Sequence, residues 1–140
     1  LFQIASMNQR FPLLAAGALG ATGVLFGALG AHILKTHLAD SGMSGAWDMG
    51  VRYHLLHAVA ILGIAGWMRP APTGLAAKRA VWAVRWWVIG AILFSGSLYA
   101  LALGAPRWIG AITPLGGLGL IAGWICAAGA ALAPRSEYDI

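Results

Sequence analysis

The sequence predicts an all-α fold, a four-helix bundle that crosses a membrane four times with both termini in the cytoplasm. Composition is the first reason. Of 140 residues, 60% are hydrophobic and only 9% charged, whereas a soluble domain carries about a quarter charged residues. Mean hydropathy is +0.79. Spacing is the second reason, because apolar runs of bilayer length recur four times between short charged or turn-forming segments. The distribution of Lys and Arg between those segments is the third, and it sets the orientation.

One domain suits this length. The net charge of +5 and pI near 10.2 could suggest nucleic acid in a soluble chain. Here the basic residues sit between apolar runs and read as membrane-edge anchors, so nucleic acid is not an expected partner. Cys126, the only cysteine, lies in an apolar run and cannot form an internal disulfide. Leu1 to Ser6 precede Met7, which reads as a natural start. Residues 1–6 are therefore expected to be a remnant outside the single domain 7–140.

The first span is expected over about 11–34. From Phe11 to Ala31 there is no charge, and Pro12 fits the first helical turn, where a missing N–H costs nothing. Gly20, Gly23 and Gly27 recur along one helix face and would let another helix approach closely. Ile33 to Leu38 should prolong the helix into the headgroups, until Asp40-Ser-Gly42 turns the chain. The second span, about 44–68, has Ser44 as N-cap and Asp48 in its early turns, where negative charge suits the macrodipole. Asp48 and Arg52 are spaced for an ion pair at the interface. Tyr53, His54 and His57 fall on another face and should point into the bundle.

Arg69-Pro-Ala-Pro-Thr-Gly74 reads as a loop. Lys78, Arg79 and Arg85, interleaved with Trp82, Trp86 and Trp87, mark a membrane–water boundary before the third span, about 82–105. That span contains Ser95, Ser97 and Tyr99. The fourth, about 113–133, should open with Thr113 as N-cap and Pro114 at the first helical position. Gly119 and Gly123 lie on its small-residue seam. One side of the membrane then holds Arg10, Arg69, Lys78, Arg79, Arg85 and Arg135, and the other Lys35, Arg52 and Arg107. This asymmetry is what predicts cytoplasmic termini.

Depth along the helices groups the polar residues. At 1.5 Å per residue His57 lies roughly 17 Å from the Arg69 end, close to the midplane. Ser95 comes out at a similar depth, His54 pairs in level with Tyr99, and His32 and Thr113 approach the outer rim. A titratable group at the midplane is costly to hold, so His57 should be neutral and hydrogen-bonded, with Ser95, Ser97 or Tyr99 as nominated partners. The cluster of His32, Tyr53, His54, His57, Ser95, Ser97, Tyr99 and Thr113 is either a plug that ties the helices together or a pocket open to the outer face.

Metal binding is a weak reading. His54 and His57 have i, i+3 spacing, but no Cys or carboxylate shares their face. A Ser–His nucleophile lacks an orienting acid and an oxyanion donor. Gly116-Gly117 lacks the following Lys of a phosphate loop. No metal, cofactor or catalytic residue is assigned, and an enzyme is not expected.

Four stretches resemble a known family. They are Phe26-Gly-Ala-Leu-Gly-Ala-His32, Trp47 with Gly50-Val-Arg-Tyr-His-Leu-Leu-His57, Phe94-Ser-Gly-Ser-Leu-Tyr99, and Ile112-Thr-Pro-Leu-Gly-Gly117 with Gly123-Trp124. They are similar in kind and order to the YgdD/YwdK-like family of small bacterial inner-membrane proteins. That family is a domain of unknown function with eukaryotic relatives called transmembrane protein 256-like. The resemblance implies four spans in a bacterial plasma membrane and no known activity. The leading reading is a structural or accessory membrane protein with membrane lipids around it. A second copy or another membrane protein is a candidate partner. The alternatives are a transporter or small-ligand or proton-binding protein using His54, His57 and Tyr99, and a haem- or quinone-associated subunit.

Overall fold

A computed structural model describes residues 2–68 and 74–133, with side chains from Arg10 onward; Arg69 and Arg135 lie outside the described residues. The elements in that range are all helical, joined by short turns at 32–34, 41–43 and 103–106. Helix α1 runs Phe2–Ala31, α2 Lys35–Asp40, α3 Ser44–Trp67, α4 Gly74–Ala102 and α5 Ile112–Ala131, with a 3-10 turn at Arg107–Ala111 before α5. Four segments, Arg10–Ala31, Ser44–Trp67, Gly74–Ala102 and Arg107–Ala131, are long and apolar enough to cross a membrane. Large apolar side chains face outward on them, Leu14 at 72% exposure and Val59 at 68% among them. Lipid, not water, is the solvent that suits such a surface.

Consecutive spans pack antiparallel. α1 lies on α3, α3 on α4, and α4 most extensively on α5, while α1 barely meets α4. The bundle is therefore a folded row of helices, with α1 and α4 separated by a cleft. Glycines set the closest approaches. A Cβ on Gly119 would stand 3.3 Å from the Gly90 Cα, and one on Gly116 would stand 2.7 Å from the Phe94 Cα. Backbones this close leave no room for a side chain. Between α1 and α3 the seam is looser and filled by side chains, Leu55 over Gly23 and Val51 near Gly27. Gly123 lies under the Trp87 indole. Gly20 departs from the expected seam, because it faces open space with nothing within 4 Å of a would-be Cβ.

The ends of the elements also differ from expectation. The first helix does not extend beyond Ala31. The chain turns at His32–Leu34 and restarts as α2, which buries Leu38 at 3% exposure against Trp47, Tyr99 and Ala102. A straight extension would have carried Leu38 away from that apolar cluster. Ser44 is the first helical residue and not a cap; Met43 holds the cap position without a side-chain bond. Helix α4 starts at Gly74, ahead of the third span expected from about residue 82, so the boundary anchors Lys78 and Arg79 are helical. Arg79 donates to the Gly129 carbonyl at 2.7 Å, which satisfies an otherwise free acceptor in the last turn of α5. Thr113 is not the N-cap of α5, whose cap position is Ala111.

Candidate functional site

Helices α1, α3, α4 and α5 bring their polar side chains together in the half of the bundle toward Ser44 and Ala102. Three hydrogen-bonded groups form there. In the first, Thr22 Oγ1 donates its only proton to the Ala18 carbonyl at 2.7 Å. His54 Nε2, 3.2 Å from the same oxygen, must then donate to it. In the neutral ring His54 Nδ1 is then the acceptor, and the Tyr99 hydroxyl 3.3 Å away donates to it. The result is a directional chain from α4 through α3 to α1.

His57, at 1% exposure, is arranged the opposite way. Its Nδ1 donates to the Tyr53 carbonyl one turn back at 2.8 Å, so Nε2 accepts the Trp124 indole N–H at 3.2 Å. The His57 ring thus donates once and accepts once, which is the pattern of a neutral imidazole. His57 is not bonded to Ser95, Ser97 or Tyr99. The ring is instead turned toward Trp124 on α5.

In the third group, Ser97 Oγ donates to the Phe94 carbonyl at 2.9 Å and lies 2.7 Å from Thr113 Oγ1. Thr113 therefore ties α5 to α4 instead of capping its own helix. Ser95 is buried at 1% exposure, and its hydroxyl has no partner. His32 is exposed in the turn after α1 and takes no part in these bonds, a departure from its expected place in the cluster. His37 does the work at this end by donating from Nε2 to the Ala102 carbonyl at 3.0 Å, in the last turn of α4. Tyr53 is 40% exposed and lies flat along His57 with Phe94 on its other side; its carbonyl, not its hydroxyl, serves the network. Asp48 and Arg52 are both exposed, and no ion pair within 4.0 Å joins charged groups among the described residues.

Aromatic packing holds the network in place. The Tyr99 ring stacks on Phe26 at 4.6 Å and lies 4.8 Å from Trp47. Gly50 allows this, since a Cβ there would stand 2.8 Å from the Tyr99 ring. Trp47, itself buried, donates to the Phe26 carbonyl at 3.0 Å. The cleft between α1 and α4 holds a cavity of about 340 Å³, with apolar walls including Phe26 and Leu103 and with His54, Ser95 and Tyr99 along it. Among the described residues no three His, Cys, Asp or Glu side chains converge as metal ligands would.

Sequence reasoning passed over Thr22 and Trp124. Both had a usable signal. Thr22 is the only hydroxyl of its span, and Trp124 lies ten residues past Pro114, about 15 Å deep and level with His57. Trp carries one N–H donor, but it was counted with the apolar residues and boundary anchors.

Comparison with known proteins places this arrangement in a family. A family model described as "Protein of unknown function (DUF423)" matches residues 26–117, which contain most of the network. The Escherichia coli K12 protein called UPF0382 inner membrane protein YgdD is 37% identical over 123 residues, covering 84% of this chain and 86% of that one. A UPF0382 membrane protein of Staphylococcus haemolyticus is 41% identical over 99 residues, 71% of this chain and 76% of its own. The Bacillus subtilis protein YwdK is 38% identical over 100 residues, with 71% and 77% covered. No solved structure matches the chain. Four apolar spans and relatives of this similarity and coverage make the chain a multi-pass inner-membrane protein that belongs to the DUF423 (UPF0382) family of unknown function.

Proposed function

We propose that this protein is a non-catalytic structural or accessory component of the bacterial inner membrane, with both termini cytoplasmic, whose histidine network fastens the four spans at one end. The supporting observation is that all four ring nitrogens of His54 and His57 are engaged by protein groups. Neither imidazole retains a lone pair or proton for a solute. Ser95 and Ser97 are not bonded to either imidazole, and Thr22, which does reach His54, directs its proton to the Ala18 carbonyl and not to the ring. Membrane lipid is the surrounding partner, and a second copy or another membrane protein is compatible with the exposed apolar faces.

A second reading, binding of a small neutral solute, draws on the cavity beside Tyr99 and His54. Purified His54→Ala protein in detergent separates the two. As structural glue, His54 loss lowers the melting temperature with no solute bound to the unaltered protein. As a ligand group, it leaves the melting temperature nearly unchanged and releases a co-purifying molecule seen by native mass spectrometry. Haem would appear as colour in the same preparation, and quinone in its organic extract.

A further inference from the structure

We infer that the Gly74 end of α4 is a binding site for an anionic phospholipid, its phosphate held between Lys78 and Arg85. The residues recur four and three apart as Lys78, Trp82 and Arg85, which places them on one helix face. They share with Gly74, Ala77 and Val81 a concavity of about 510 Å³. The Arg85 guanidinium carbon lies 5.2 Å over the Trp82 ring, a cation–π contact that orients the side chain before any lipid arrives. Lys78 is exposed, whereas the neighbouring Arg79 is already committed to the Gly129 carbonyl. The N-terminus of this 29-residue helix adds positive potential at the same place. Among the described residues the acidic side chains are Asp40 and Asp48, both at the opposite end of the bundle.

The shape beyond the cradle is that of a lipid and not of a free anion. The same face continues as Ile89 and Ile92, 48% and 60% exposed. Trp82 to Ile92 spans about 15 Å, half the hydrocarbon thickness of a bilayer. A headgroup at Lys78 and Arg85 would therefore send one acyl chain along this track to the mouth of the α1–α4 cleft, which Ile92 also lines. A headgroup with net negative charge suits two cations that have no acidic neighbour among the described residues. The ammonium of phosphatidylethanolamine would instead bring a third positive charge to the cradle.

The test uses the whole chain in mixed micelles with equal phosphatidylglycerol and phosphatidylethanolamine, read by native mass spectrometry of the retained lipids. Phosphatidylglycerol should be enriched on the order of tenfold, falling to near parity in Lys78→Gln/Arg85→Gln. Lys35→Gln/Arg107→Gln removes the same charge at the other end and should keep the enrichment. Absence of enrichment in the unaltered protein, or equal loss in both double variants, overturns the site. Hydrogen–deuterium exchange of the unaltered protein provides a check without substitutions. Phosphatidylglycerol, but not phosphatidylethanolamine, should slow the amides of residues 75–78, and equal protection by both lipids overturns the proposal.

Discussion

His54 and His57 lie one turn apart on α3, yet their partners hold them in opposite tautomers, with the proton on Nε2 in one and on Nδ1 in the other. Removing one ring therefore affects different helices. His57→Ala leaves the Trp124 N–H without an acceptor and a void beside Trp87, and should cost about 1–3 kcal/mol of stability in detergent. Thermal unfolding followed by circular dichroism measures it; an unchanged midpoint would mean the Trp124 bond contributes nothing. Ser95 should behave in the opposite sense. Its hydroxyl is buried without a partner, so Ser95→Ala removes an unsatisfied group and should leave the midpoint unchanged or raise it. A large fall would show that the Ser95 oxygen has a partner after all.

At the scale of elements, the glycine contacts separate tight helix pairs from loose ones. Gly90 approaches Leu120, whose backbone nitrogen would stand 2.7 Å from an added Cβ. Backbone cannot move aside as a side-chain tip can, so Gly90→Ala should destabilise the α4–α5 pair by about 1–3 kcal/mol. Gly20→Ala, placed in open space, should be neutral or slightly stabilising through helix propensity. The two melting curves, measured side by side, test whether steric approach and not glycine content governs the seams. If both variants melt alike, close approach is not the determinant.

At the scale of the molecule, the row-like packing leaves α1 attached mainly through α3. Hydrogen exchange in increasing denaturant should release α1 amides before those of α4 and α5; simultaneous release would indicate a single cooperative bundle. Antiparallel packing also brings the outer ends of α1 and α5 to the same side. The Lys and Arg excess on that side predicts, by the positive-inside rule, that it is the cytoplasmic one. A C-terminal fluorescent protein that folds only in the cytoplasm should therefore be bright, and a periplasm-dependent phosphatase at the same position should be inactive. The reverse pattern would invert the bundle.

The sequence alone determined the class of fold, the number of candidate spans and the level of each polar residue along its helix, because hydropathy and helical rise act locally. It therefore paired His54 with Tyr99 in level and assigned Gly23, Gly27, Gly119 and Gly123 to helix contacts. Rotation of one helix against another is not local, and tertiary structure decided what depended on it. Depth nominated Ser95, Ser97 or Tyr99 for His57 and not Trp124; the placement of α5 supplied Trp124 and left Ser95 without a partner. Thr113 had a cap role by local pattern, but Ser97 on the facing helix offered the bond it takes. His32 and His37 both lay near the same end, and the turn after Ala31 brought His37 to Ala102. In each case local chemistry supplied one hydrogen-bonding group, and the packing of another helix supplied its partner.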